Sequence, residues 1–183
     1  MVDGFMITDL RYYGISPWEI EVIYGIFSER FRVTQIETQE MDPNFVSLIT
    51  VSIPLEFNED FFKWFEYRRW DKVKQIFKEM KRRRGTNNAL KVEINFLGSP
   101  RIGFALDVED RSWFDNALEK LDFVIELLPF HLDSANMPQE ISDVIYNFDI
   151  ETRKWKLNTL FANKKKFVTK KTMSGKQLFD VFL

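Results

Sequence analysis

Two hydrophobic periods run along this chain. Leu90, Val92, Ile94 and Phe96 alternate with Lys91, Glu93 and Asn95, and Ile102, Phe104, Leu106 and Val108 alternate with Gly103, Ala105 and Asp107. Gly98-Ser99-Pro100 lies between the two runs. The period of two and the turn residues predict a hairpin with one buried and one wet face. Residues 45–53 are almost continuously apolar (Val46, Leu48, Ile49, Val51, Ile53), which predicts a central strand buried on both faces. Val33, Thr34, Ile36 and Thr38 are β-prone but set among polar residues, as in an outer strand.

The longer period marks three helices. The first clear element starts at Ser16-Pro17-Trp18-Glu19, a capping box with proline at the first helical position, and runs to about Arg30. Asn58 opens a second helix with Glu59 and Asp60 in its first turn. Phe62, Phe65, Trp70, Val73, Phe77 and Met80 line it, and Lys81–Arg84 followed by Gly85 stop it. Read as one helix over 59–84, it is about 39 Å long. Ser112-Trp113-Phe114-Asp115 starts a third helix, with Trp113, Ala117, Leu121, Val124 and Leu128 on one face and Pro129 as its stop.

The expected fold is therefore α+β. Two αββ units build an antiparallel sheet with helices on one face, over residues 1–130 in the order αββαββα. Residues 131–140, with Asp133, Ser134, Asn136 and Pro138, read as a connecting loop. Tyr146, Phe148 and Ile150, then Trp155, Leu157, Thr159 and Phe161, alternate again, so residues 141–183 read as a basic β-meander. Ser174 caps an expected short terminal helix carrying Leu178, Phe179, Val181 and Phe182.

Composition narrows the chemistry. The 183 residues include 19 Phe, 5 Trp and 5 Tyr, enough for a large aromatic core. There is no cysteine, which excludes disulfides, thiol catalysis and cysteine metal sites. The single histidine, His131, excludes a histidine cluster within one chain. No glycine-rich phosphate loop or nucleophile elbow is present. No apolar run spans a membrane and no signal peptide is visible, so a cytoplasmic location is expected.

Charge is segregated although the formal net charge is only −2. Residues 1–67 carry −8, residues 68–84 carry +7, residues 85–151 carry −9 and residues 152–183 carry +8. The helical block contributes Arg68, Arg69, Lys72, Lys78, Arg82, Arg83 and Arg84, and the C-terminal block Lys164, Lys165, Lys166, Lys170 and Lys171. Such faces can follow a phosphate backbone or an acidic protein surface. Against this, Asp71 and Glu79 are interspersed in the helix, and Glu79 can pair with Arg83.

Two smaller constellations could carry chemistry. Asp107, Glu109 and Asp110 cluster at a strand end, with Glu93 on the paired strand; oxygen ligands of this kind suit Mg²⁺, while acids before a helix also simply favour its positive end. No lysine follows at the spacing of the common nuclease motif, so no metal is assigned. His131, in the loop after Pro129, has Asp133 as its nearest orienting carboxylate for general-base work.

The last eight residues, Lys176-Gln177-Leu178-Phe179-Asp180-Val181-Phe182-Leu183, loosely resemble the clamp-binding peptides of archaeal and eukaryotic replication and repair proteins. Those peptides have a glutamine followed by an aliphatic residue at +3 and aromatics at +6 and +7. Here Lys176 stands at the glutamine position, Phe179 at +3, Phe182 at +6 and Leu183 at +7. The resemblance implies a partner peptide. The alternative is an amphipathic segment docked on the core.

Together these features lead to a non-enzymatic binding protein that contacts nucleic acid or another polyanion through its two basic blocks, without cofactor and without membrane. The alternative is a protein-interaction or scaffold domain, open to homo-oligomers, whose basic blocks meet acidic surfaces. A metal enzyme using the Asp107 cluster is third.

Overall fold

The computed structural model describes residues 6–87, 89–135, 137–170 and 178–182. Among the described residues, five helices cover one face of a mixed sheet of nine strands in the order β2-β1-β3-β4-β5-β6-β7-β8-β9. The strands are β1 (Ile7–Tyr13), β2 (Arg32–Glu37), β3 (Leu48–Ile53), β4 (Lys91–Phe96), β5 (Arg101–Leu106), β6 (Ile141–Asp149), β7 (Lys154–Ala162), β8 (Lys165–Lys170) and β9 (Leu178–Phe182). The helices are α1 (Pro17–Ser28), α2 (Glu59–Phe65), α3 (Tyr67–Arg84), α4 (Arg111–Lys120) and α5 (Val124–His131).

The expected antiparallel sheet is corrected to a mixed one. β1–β2, β3–β4 and β5–β6 are parallel pairs, each joined by a helical crossover; the other neighbours are antiparallel. The cause is β1, a strand that precedes the first expected helix. It turns αββ into βαβ and makes three such units in succession. β3→β4 and β5→β6 step the same way across the sheet with strands running in opposite senses. Because α3 and α4 pack side by side on one face, these two crossovers have opposite hands. One of them departs from the strong right-handed preference of such units.

The β4–β5 hairpin is as expected, with Ile94 opposite Phe104 and Phe96 opposite Ile102. Its inward side chains, and Leu90 and Val108 beside them, are all buried. β3 differs from expectation: Ile49, Val51 and Ile53 are buried, while Leu48, Thr50 and Ser52 on the other face are half exposed, because no helix among the described residues packs on that side. β2 is an edge strand. β6, β7 and β8 extend the main sheet. Leu178–Phe182 is a strand paired to β8, which corrects the expected terminal helix over that segment; Ser174 lies outside the described residues.

The expected 59–84 helix is two. Glu66 sits between α2 and α3 at φ 69, a left-handed value for a non-glycine residue, held by the guanidinium groups of Arg30 and Arg69. At the start of α1, Ser16 and Glu19 form the expected capping box. The cap of α4 is Asp110 rather than Ser112; its carboxylate accepts from the Trp113 N–H and the Ser112 hydroxyl. Pro129 does not stop the third helical region but lies inside α5, and His131 ends that helix instead of opening a loop.

The core lies between the helices and one face of the sheet. Its centre is aromatic: Phe57, Phe61, Phe62, Trp70, Phe96, Phe104, Tyr146 and Trp155 form one chain of ring contacts with centroids 4.8–6.3 Å apart. The Trp155 indole N–H donates to the Ala117 carbonyl at 2.9 Å and fixes α4 on β7. Among the described residues, no helix is long and apolar enough to cross a membrane.

Candidate functional site

The parallel pair β5–β6 ends in a cleft. Asp107, Val108, Glu109 and Asp110 follow β5, Phe148 and Ile150 stand at the end of β6, Thr86 and Asn87 follow α3, and Trp113 projects from the first turn of α4. These residues line a cavity of about 510 Å³, within the range of small-molecule sites. It lies beyond the carboxyl ends of parallel strands, where open α/β sheets place ligands, because the chain there leaves the sheet as loops.

The walls carry an excess of acid. Asp107 is half-buried, and burial pushes its carboxyl above the usual range. Asp110 is held low by the Ser112 hydroxyl and the Trp113 N–H. Behind the Asn87 wall, the fully buried Lys81 donates to the Asn87 carbonyl at 3.1 Å and lies over the Phe114 ring. Burial lowers its pKa, partly offset by Glu109 and Asp110.

Beside the cleft, on the helix-free face of the sheet, Lys91 forms a hub. Its ammonium lies 3.0 Å from Glu93 and 3.7 Å from Asp42, and Glu93 accepts from the Thr50 hydroxyl at 2.9 Å. Burial opposes the charge of Lys91, but Glu93, Asp42 and Asp107 together hold its pKa above the ordinary value. Five carboxylates (Asp42, Glu93, Asp107, Glu109, Asp110) thus surround two ammonium groups. Trp113 also carries the guanidinium of Arg153 over its ring at 4.6 Å, so the aromatic wall already accepts a cation.

The weak metal reading of Asp107, Glu109 and Asp110 gains no geometry: among the described residues, no three His, Cys, Asp or Glu side chains are grouped to hold a metal ion. His131 pairs with the Tyr146 hydroxyl at 3.1 Å rather than with Asp133, whose carboxylate accepts from the Ala135 N–H. Burial lowers the His131 pKa and raises that of Tyr146 beyond its usual value, so the two share a neutral hydrogen bond.

The basic helix carries few open cations. Arg69 pairs with Glu29 and Glu66, Lys78 with Glu119, Arg82 and Arg83 with Glu79, and Arg84 with Glu19. Two further cations of that block, Lys74 and Lys81, are inside the protein. Arg68 and Lys72 are exposed with no ion pair among the described residues. Lys164, Lys165 and Lys166 are exposed around the β7–β8 turn, also without an ion pair among the described residues. Lys170 ends β8. Lys171 and Leu183 lie outside the described residues, while Phe179 and Phe182 belong to β9.

Sequence reasoning found the three carboxylates but missed the rest of the cleft. The spacing places Trp113 only on the apolar face of a helix, and nothing local marks Thr86, Asn87 or Ile150; the signal available is that a strand end, a helix start and Gly85 are all loop-forming places. Comparisons of the chain with protein-family models, with curated proteins and with solved structures gave no match.

Proposed function

We propose that the chain is a binding protein whose ligand seats in the cleft beyond β5 and β6 and presents a cationic group. The observation that carries this reading is the cavity of about 510 Å³ walled by Asp107, Glu109, Asp110, Trp113 and Phe148. Carboxylates attract an ammonium or guanidinium, and aromatic rings add cation–π attraction while excluding water. Glu109 is the carboxylate best placed for the charge. Asp110 already caps α4, and burial disfavours ionised Asp107.

Calorimetric titration with spermidine, with citrate as an anionic control, tests this. Spermidine is expected to bind, and Glu109→Gln or Trp113→Ala to weaken it about tenfold, the equivalent of about 1.4 kcal/mol. Equal binding of citrate, or spermidine binding unaffected by both substitutions, rules the reading out.

A second reading is polyanion binding, favoured by the exposed run Lys164-Lys165-Lys166 and, on the helix, by Arg68 and Lys72. Of the remaining helix cations, Arg69, Lys78, Arg82, Arg83 and Arg84 are engaged by Glu19, Glu29, Glu66, Glu79 and Glu119, Lys74 and Lys81 are buried, and together they offer little to phosphate. A scaffold role, the alternative from sequence, meets the same constraint. Charge reversal at Lys164–Lys166 is expected to abolish salt-dependent binding to single-stranded DNA if that reading holds.

A further inference from the structure

The chain leaves β3 at Ile53 through Pro54-Leu55-Glu56-Phe57 and enters α2 at Asn58, whose side chain accepts from the Phe61 N–H at 2.9 Å. β3 and β4 are a parallel pair, so this loop lies beyond their carboxyl ends, at the opposite end of the strands from the cleft beyond β5 and β6. A cavity of about 340 Å³ opens there, with Met6, Leu55, Phe61 and Trp64 as its apolar wall and Glu56 and Asp60 as its charged wall. These walls are held in place. Phe61 is buried, and its ring meets Phe62, Phe65, Trp70 and Phe96. The Phe31 ring stands edge-on to Trp64 at 5.1 Å and the Arg30 guanidinium lies 5.6 Å from the same ring, yet neither residue lines the cavity. The Glu56 stem packs so closely on Gly98, in the loop after β4, that a side chain there would meet its Cγ at 2.6 Å.

The charge of this wall has little answer within the chain. Glu56 has no ion pair or hydrogen bond among the described residues. Lys63 bonds Glu59 at 3.4 Å and comes no closer than 3.9 Å to Asp60. No lysine or arginine lines the cavity. We propose that this cavity is a second ligand site, which takes a small monoamine: one ammonium group on a compact apolar body. The ammonium is drawn to Glu56 and Asp60 and to the face of Trp64, and the body is buried against Met6, Leu55 and Phe61. A carboxylate on the same body meets two like charges and is rejected. The cavity shares no residue with the cleft beyond β5 and β6, so the site does not depend on what the cleft binds.

Titration of the nitrogen-15-labelled chain with phenethylammonium, followed through the tryptophan indole N–H signals, tests the proposal. Trp64→Phe and Trp113→Phe identify the signals of these two among the five tryptophans. The Trp64 signal is expected to move saturably. Glu56→Gln is expected to weaken that binding about tenfold, as loss of a charged hydrogen-bond partner does. The anion 3-phenylpropionate, with a similar apolar body, should leave the signal in place. Glu56 is exposed, so Glu56→Gln should retain the fold, which the unchanged positions of the other indole signals check. A Trp64 signal that stays still, that moves equally with 3-phenylpropionate, or that titrates alike in the Glu56→Gln chain overturns the proposal. Movement of the Trp113 signal alone overturns it as well and leaves the cleft reading intact.

Discussion

Phe104→Ala is expected to destabilise the fold by about 3–5 kcal/mol. Phe104 is the junction of the aromatic core. Its ring touches Phe57, Phe96, Tyr146 and Trp155 with centroids 4.9, 6.3, 5.5 and 5.3 Å away. Those neighbours come from the loop before α2, from β4, from β6 and from β7, so truncation opens a cavity that no single element can close. Such a loss is a large part of the 5–15 kcal/mol that keeps a domain folded. Phe104→Leu, which keeps most of the volume, should cost far less. Urea denaturation of both variants decides it; a cost below about 1 kcal/mol for Phe104→Ala means that the core relaxes into the gap and the ring chain does not hold the sheet together.

The parts of this fold legible in the sequence are those specified within a few residues. The β4–β5 hairpin follows from strict alternation about Gly98-Ser99-Pro100, and the start of α1 from Ser16, Pro17 and Glu19. The parts that were not legible depend on distant residues. β1 alternates only over Asp9–Tyr12, while Ile7 and Thr8 break the pattern, and its place between β2 and β3 decides that the sheet is mixed. Glu66, where the helix breaks, pairs with Arg30, which lies 36 residues away. No helical periodicity records that contact.

The candidate site divides the same way. Three acidic residues within four positions announced themselves as Asp107, Glu109 and Asp110, but a strand end becomes a cleft only when Thr86, Asn87, Phe148 and Ile150 are brought around it. The basic helix misled for the converse reason. Its charge is local, and so are Glu66 and Glu79, but other carboxylates that neutralise it are not: Glu29 lies 40 residues from Arg69, and Glu119 lies 41 from Lys78. A charge run in sequence reports composition, whereas recognition depends on what remains unpaired after folding.

Arg84→Ala is expected to be the most damaging change among the charged residues, at about 3 kcal/mol. Glu19 is nearly fully buried, and both of its oxygens take hydrogen bonds of 2.7 Å from the Arg84 guanidinium. Arg84 also donates to the Ser47 hydroxyl and to the carbonyls of Met80 and Gly14. Gly14 has φ +63, and a side chain there would meet the Val46 carbonyl at 2.6 Å, so this corner cannot easily rearrange. Removing the guanidinium leaves a buried carboxylate with only Ser16 as partner. Burial alone would raise the Glu19 pKa, but the Arg84 hydrogen bond and the Ser16 N–H hold it below the ordinary 4.5. A lowered folded-state pKa contributes stability that is present above that ordinary value and disappears as pH falls through the folded one. The unmodified protein should therefore lose this contribution only below about pH 4.5. In Arg84→Ala the raising effect of burial is no longer opposed by Arg84, so that acid-side loss should shrink or reverse, and the stability gap between the two proteins should narrow as pH falls and the Glu19 carboxyl is protonated. Stability of the two proteins measured from pH 7 to acid reads both effects, and the double variant Glu19→Gln/Arg84→Met should recover part of the cost because no unpaired charge remains. Parallel pH profiles, with a single-variant cost below about 1 kcal/mol, would show that the pair is no more than a surface salt bridge.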